Sequence, residues 1–411
     1  MSKKKWFFIV FLMITTSMIS STIVVCNNCP IKSIDQAIKI AKSNDIIKVK
    51  KGIYQETNLI IDKPLTIIGE NIPTIDGQLK GDLLKIIADN VIIKGFNIIN
   101  VGKDFANSNT AIRIQRSKDF EISSNRFENI LYAIYIEKSS KGKISNNKIY
   151  GNAITEINSG NGIHIWSGNQ ILITNNYIEK MRDGIYLEFA SNCEVNNNLS
   201  TKNIRYGLHF MFSNDNSYLK NKFITNGAGV AVMFSKNIKM MNNHFLKNWG
   251  TASYGLLLKE INDAEIINNI FEDNTIAINV EGSNRINYKN NNFTSNGWAL
   301  KVRGACYNNV FIKNNFLYNS FDVSWNTKMN DNLFKQNYWS EYTGYDLDLN
   351  GIGDVPYRPV KLFSYIVNKT PEAVILLRSL FINLVDFSEK VTPVFTPDFL
   401  IDDQPQMKPN I

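Results

Sequence analysis

The chain has 411 residues, 44% of them apolar, and a formal net charge of +8. That is ample apolar material for one elongated core, which excludes an intrinsically disordered chain. The basic residues are scattered and form no continuous stripe with interleaved aromatics, so no nucleic-acid partner is expected.

At the start, Lys3, Lys4 and Lys5 precede an apolar run over residues 6–13, which continues weakly to Ile19 and ends at Ser20, Ser21 and Thr22. A basic start, a short apolar stretch and small residues predict an export signal peptide, assigned to residues 1–25. The run is short for a membrane span. Cleavage is expected near residues 20–22, or ahead of Cys26 if that cysteine is lipidated, for which Val25 is a poor preceding residue. Cys26 and Cys29 make a C-x-x-C pair, where a metal or redox role competes with simple removal in processing. Over residues 33–69 the pattern changes. Ile34, Ala37, Ile38 and Ala41 share one helical face, and Asp45–Val49 then reads as a strand. A helix there would cap a stack of strands, whose open end is a row of unpaired backbone groups.

The middle of the chain repeats. Gly162-Ile163-His164-Ile165, Gly184-Ile185-Tyr186-Leu187, Gly207-Leu208-His209-Phe210 and Gly229-Val230-Ala231-Val232 open with glycines 22, 23 and 22 residues apart. Ala111 and Ala133 continue the series upstream, and Gly255, Ala277 and Ala299 downstream. Each unit carries a second short strand after an Asn pair, as in Asn146-Asn147-Lys148-Ile149 and Asn175-Asn176-Tyr177-Ile178. The apolar alternation has period two, which marks half-buried strands. A fixed repeat of this length is one supersecondary unit stacked many times, because a single unit cannot bury its own apolar face. Asn tolerates the left-handed turn conformation, and stacked Asn side chains can bond from rung to rung. The predicted class is all-β: a right-handed parallel β-helix, a pectin-lyase-like solenoid over residues 30–340 with an N-terminal helical cap, its rungs about 4.8 Å apart. Insertions at residues 151–161 and 249–254 are expected at turns. Cys193 and Cys306 lie about five rungs apart, too far to bridge, so no disulfide framework is implied.

In each Gly-Ile-x-Ile strand the second and fourth positions face inward, and the third and fifth outward. The fifth-position column reads Gln115, Glu137, Trp166, Glu188, Met211, Met233, Lys259, Glu281 and Arg303. Glycoside hydrolysis needs two carboxyl groups about 5 to 9.5 Å apart. Glu137 and Glu188 are separated by the Trp166 rung, about 10 Å, so no enzyme is expected. The third-position column contains His164 and His209. Together with Met211 and Met233 they form a candidate Cu(I) or partner-binding face, because thioether and imidazole ligands favour Cu(I). The competing reading is that these residues cover a partner surface or lie beneath a loop. His244 reads as an ordinary surface residue.

Residues 341–411 form a tail of different character. Asp346, Asp348 and Asn350, followed by Gly351 and Asp354, have the spacing of a calcium loop, although Tyr357 stands where an EF-hand has Glu. A metal-free turn whose carboxylates cap backbone donors is the alternative. Val374, Leu377, Phe381, Leu384, Val385 and Phe387 then give one apolar helical face within residues 371–391, and residues 392–411 read as an extended arm.

Several of these segments resemble the NosD family: Gly160-Asn161-Gly162-Ile163-His164, Arg182-Asp183-Gly184-Ile185-Tyr186, Arg205-Tyr206-Gly207-Leu208-His209-Phe210-Met211-Phe212, and Asn337-Tyr338-Trp339-Ser340 through Gly351-Ile352-Gly353-Asp354 to Tyr357-Arg358-Pro359. The rung motifs are shared by many β-helices, and the Asn-Tyr-Trp block with its Asp/Gly loop is more telling. The resemblance covers about residues 105–411 and implies a non-enzymatic, exported accessory protein in the periplasm. It implies as partners the permease and ATPase of an ABC transporter at the inner membrane, a membrane-attached copper chaperone, and nitrous oxide reductase. The copper–sulfur centre of that reductase would be assembled with its help, and Cu(I) would be a transient ligand. No catalytic residue carries over. The tail helix would either dock on the permease or cap the last rungs. The alternative reading is a carbohydrate-binding or carbohydrate-active β-helix.

Overall fold

The computed structural model describes residues 20–325, 331–377, 379–391 and 400–410. Three parallel sheets of 14, 12 and 13 strands run the length of the chain, each strand pairing with its counterpart one turn away. This is the parallel β-helix that the period predicts. Along the second sheet Ile112, Ile134, Ile163, Ile185, Leu208, Val230 and Leu256 stand in register from rung to rung, and all are fully buried. In-register repetition also stacks like on like inside the core. The rings of Phe223, Phe245, Phe271, Phe293, Phe316 and Trp339 lie 5.5, 4.5, 5.1, 4.9 and 4.0 Å apart in turn. Each such ring contributes about 1.5 to 3 kcal/mol by leaving water, plus about 1 kcal/mol from ring contact.

The Asn pairs divide their labour. Asn146 and Asn175 take left-handed φ of 57° and 56°, which turns the chain between sheets. Their neighbours Asn147 and Asn176 point inward and bond up the stack. Asn147 N–H and Nδ2 both donate to Asn176 Oδ1, at 2.9 and 3.0 Å, while Nδ2 also reaches Ile122 O at 2.9 Å. The same pattern continues through Asn198, Asn221, Asn243, Asn269, Asn291 and Asn314 to Asn337.

At the amino end, helix α1 (Ile34–Ile40) lies over the first turns with Ile34, Ala37 and Ile38 buried, and Ser33 Oγ caps it by accepting from Gln36 N–H at 3.0 Å. The predicted signal boundary at residue 25 falls at the end of a paired strand. Strand Thr22–Val25 pairs in register with Ile46, Ile47, Lys48 and Val49, and Val25 is fully buried. A cut ahead of Cys26 would therefore strip a paired strand from the first sheet. The apolar run of the predicted signal, up to residue 19, lies outside the described residues. Of the cysteines, Cys26 and Cys29, whose role the sequence left open, are bonded to each other, whereas Cys193 and Cys306 are free and buried, as their separation requires.

At the carboxyl end the cap is formed by residues 400–410 of the predicted arm, residues 392–399 lying outside the described residues. Asp402 is fully buried, and its Oδ2 accepts from Asn337 N–H and Nδ2 at 3.0 Å each and from Trp339 Nε1 at 3.1 Å. Asp402 thus takes the place the next ladder Asn would have. Backbone bridges from Asp402 to Phe334 and from Gln406 to Tyr338 extend the last rung. Helices α2 (Leu362–Lys369) and α3 (Leu380–Val391), joined through a 3₁₀ turn at Pro371–Leu376, stand beside the end of the second sheet.

A half-buried candidate site on the second sheet

The register reproduces both outward columns read from the sequence. At the third position Arg113, Tyr135, His164, Tyr186, His209 and Ala231 are consecutive partners; at the fifth, Glu137, Trp166, Glu188, Met211, Met233 and Lys259. No two adjacent rungs of the fifth column carry carboxylates.

Outward does not mean exposed here. His164 and His209 keep only 7% and 5% of their surface, because the column closes on itself. Ring centroids are 4.4 Å apart from Tyr135 to His164, 4.7 Å from His164 to Tyr186 and 4.5 Å from Tyr186 to His209. Tyr206 adds a lateral ring 4.8 Å from His209. The two predicted insertions, with a third at residues 101–109, all emerge at the corner leading into this sheet and wall its edge. Arg113 Nη2 bonds Ser108 O at 2.7 Å, and Arg182 Nε bonds Asn161 Oδ1 at 3.2 Å.

Beneath that edge lies a residue the column reading passed over. Asp183 is fully buried and receives Arg205 through two hydrogen bonds, Nε to Oδ1 at 2.8 Å and Nη2 to Oδ2. His209 Nδ1 stands 3.6 Å from the same Oδ2, close enough for charge attraction and too far for a good hydrogen bond. Burial alone would push the Asp183 carboxyl up; Arg205 and His209 outweigh it and hold the group at about 2. A Cβ on the next residue, Gly184, would come within 2.1 Å of Ser200 Oγ and 2.6 Å of Gly207 O, so only glycine fits there. The signal was present in Arg182-Asp183-Gly184 and Arg205-Tyr206-Gly207, charged residues preceding the glycine on neighbouring rungs.

The four predicted ligands separate into two groups. Met211 and Met233 are direct register partners, both half-buried rather than solvent-facing as expected, and Tyr186 Oη lies 3.6 Å from Met211 Sδ. His209 stacks on the same Tyr186 ring, and both of its ring nitrogens are buried without a hydrogen-bond partner. His164 is kept from this trio by the interposed Tyr186 ring. Burial pushes the His164 imidazole down, toward its neutral form, and its Nε2 is 3.9 Å from Glu188 Oε2. His244, read as a surface residue, is half-buried with Nε2 3.1 Å from Glu272 Oε2.

One residue beyond the Met column stands a second feature that the sequence reading missed. Phe189, Phe212 and Phe234 stack with centroids 5.3 and 5.0 Å apart, and all three take left-handed φ, 51°, 50° and 52°. Bulky side chains avoid that region, at a cost of about 1 kcal/mol or more each. Phe189 and Phe212 are nonetheless 53% and 41% exposed. The result is an apolar ridge alongside the methionines. The same period would have found it, since each Phe directly follows a fifth-position residue.

In the Asp346 loop the oxygens turn onto the backbone. Asp346 accepts from Asn350 and Gly351 N–H at 3.1 and 2.8 Å, Asp348 from Asn350 N–H at 3.3 Å, Asn350 Oδ1 from Ile352 N–H at 2.7 Å, and Asp354 from Leu347 N–H at 2.7 Å. Among the described residues no cluster of three His, Cys, Asp or Glu suits a metal ion.

The tail helix has two faces. Ile382 packs with Phe321, Phe363 and Val367, while Phe381, Leu384 and Phe387 remain 60%, 59% and 65% exposed. No described helix is long and apolar enough to cross a membrane. Under the packed face, burial pushes Asp322 up to about 7, against a bond from Asn319 Nδ2 at 3.2 Å. A carboxyl raised this way contributes stability that is full below its unfolded value and declines as pH rises toward 7. Asp322→Asn is therefore expected to unfold like the parent at pH 4, to gain an advantage in urea midpoint up to pH 7, and to hold it above; a pH-independent difference would refute this.

The sequence profile described as "Periplasmic copper-binding protein (NosD)" matches residues 145–344, which contain His164, Asp183, His209, Met211 and Met233. Two proteins named "Probable ABC transporter binding protein NosD" are similar along most of the chain. The one from Pseudomonas aeruginosa is 23% identical over 370 residues, covering 85% of this chain and 86% of its own. That from Stutzerimonas stutzeri is 24% identical over 389 residues, covering 88% and 86%. Among solved structures, an alginate lyase superposes with a TM-score of 0.58 at 12% identity, over 74% of this chain and 81% of its own. The Streptococcus pneumoniae surface adhesin PfbA gives 0.52 at 13%, over 71% and 87%. At that identity these two share the fold alone.

Proposed function

We propose that the chain is a NosD-family protein, supported by the matching profile and the two relatives, and that it is an exported, non-catalytic accessory protein that docks on an ABC transporter and offers a soft-metal face during assembly of a copper–sulfur centre. Its partners would be the permease and ATPase of that transporter, a membrane-attached copper chaperone and nitrous oxide reductase. It would work in the periplasm, held at the inner membrane through the transporter.

One observation carries the copper reading. Met211 and Met233 are paired across adjacent strands, beside a buried imidazole, His209, neither of whose nitrogens makes a hydrogen bond. Two thioethers and one imidazole make a donor set that suits Cu(I) and suits hard cations poorly. An orphaned buried nitrogen costs stability unless something binds it. His164, stacked on the far side of Tyr186, would support that ring. The exposed side of α3, with Phe381, Leu384 and Phe387, supplies an apolar surface for the transporter.

Two measurements test the proposal. With the Cys26–Cys29 bridge intact, competition titration with Cu(I) is expected to show binding by the parent and at least a tenfold weaker affinity for M211L/M233L/H209Q; unchanged affinity would remove the site. F381S/L384S/F387S is expected to lose co-purification with the transporter while retaining its circular dichroism spectrum. Full retention of the complex would send the docking surface elsewhere.

A further inference from the structure

Cys26 and Cys29 take no part in the function proposed above, and they differ from the other two cysteines. Cys193 and Cys306 are buried, and burial pushes both thiols up, Cys193 to about 11, so neither offers a thiolate near neutral pH. Cys26 and Cys29 are half-buried and bonded to each other, flanking the exposed Asn27 and Asn28 in the turn after strand Thr22–Val25. Their bridge is redundant as a staple. The turn is already held by Cys29 N–H to Cys26 O at 3.1 Å and Cys26 N–H to Ile31 O at 3.2 Å, and the strand by its register with the next. A bridge across a sequence separation of 3 also closes only a very small loop, the kind that restrains an unfolded chain least. Reduction would therefore leave the turn in place and present two adjacent thiols at the amino end of the solenoid.

We propose that Cys26 and Cys29 form a second, redox-gated Cu(I) site, closed as the disulfide and open as a two-sulfur clamp. The inference rests on the copper reading for the identity of the metal. Opening takes an external dithiol: its thiolate attacks one sulfur of the bridge, its second thiol resolves the mixed disulfide, and it leaves oxidised. Two electrons and two protons stay on Cys26 and Cys29. When the metal binds, each thiol gives its proton to water, so two protons are released for each ion taken up. Two sulfurs satisfy Cu(I), a soft ion stable with two ligands, whereas zinc requires four. Among the described residues no cluster of three His, Cys, Asp or Glu suits a metal, so the pair has no third such ligand beside it.

The test uses the full chain under anaerobic conditions, titrated with Cu(I) against a chromogenic competitor before and after reduction with dithiothreitol, which is then removed. The reduced protein is expected to take up one more Cu(I) than the oxidised protein, and native thiol titration should count two reactive groups. Equal uptake in the two states of the parent protein overturns the proposal, and this comparison requires no variant. C26S/C29S should abolish the difference, and a difference that persists in it also overturns the proposal. M211L/M233L/H209Q separates the two sites. If the increment on reduction survives in that variant, the clamp stands whatever becomes of the methionine face; if only the increment is missing from the parent, the clamp alone fails.

Discussion

Asn221→Leu is expected to destabilise the solenoid by about 3 to 6 kcal/mol, although leucine has nearly the same volume. The Asn221 side chain accepts from Asn198 N–H at 2.9 Å and Asn198 Nδ2 at 3.0 Å, and donates to Val195 O at 2.8 Å and Asn243 Oδ1 at 3.1 Å. Leucine leaves Asn198 N–H buried without its acceptor, at about 1 to 3 kcal/mol, and removes three further bonds at about 0.5 to 1.5 kcal/mol each, while Asn198 Nδ2 keeps Ile173 O and Asn243 Oδ1 keeps Asn221 N–H. The adjacent Asn197 is the internal control. It is exposed, with φ of 53°, and Asn197→Gly relieves rather than strains that conformation. Urea unfolding followed by circular dichroism should show a large loss for the first variant and a change within about 0.5 kcal/mol for the second. Because each rung contacts only its neighbours, the first variant is also expected to broaden the transition as the two halves uncouple. Equal, small effects at both positions would mean that the ladder contributes little.

Asp183→Ala is expected to cost about 3 kcal/mol at pH 7, because Arg205 would be left partly buried without its partner. The pH dependence gives an independent reading. The folded carboxyl lies near 2, below its ordinary value of 3.8, so its contribution is present above about pH 4 and is lost as pH falls through 2. The parent should therefore lose about 2 kcal/mol across that window that the alanine variant does not lose. Parallel acid-unfolding curves for the two proteins would show that the Asp183–Arg205 pair does not hold the proton in this way. Loss of the pair should also loosen His209, so a weaker Cu(I) affinity is expected in the same variant.

Much of the architecture was legible in the spacing of a few residues. Glycines 22, 23 and 22 apart fixed the rung length, and the register that followed put Glu137 opposite Trp166 and Met211 opposite Met233 as read. The doubled Asn residues announced both the turns and the ladder. Less legible was which outward residues are covered. His164 and His209 look exposed when a strand is read alone; their burial comes from rings one rung above and below, and from insertions that arrive from the preceding corner. Asp183 escaped notice for a related reason. Its partner lies 22 residues away, and only the register of the stack, which sets Asp183 opposite Tyr206, brings the two together.

The repeat by itself determined the all-β class, the strand positions, the inward and outward columns and the absence of adjacent carboxylates in the fifth column, because an in-register parallel stack turns sequence period directly into spatial alignment. Only the tertiary structure decided which features depart from the period: that strand Thr22–Val25 belongs to the first sheet, that Cys26 and Cys29 close on each other, that Asp402 ends the ladder, and that α3 packs one face and leaves the other bare. These are contacts between segments with no shared repeat. Their energies depend on distances that no local pattern encodes.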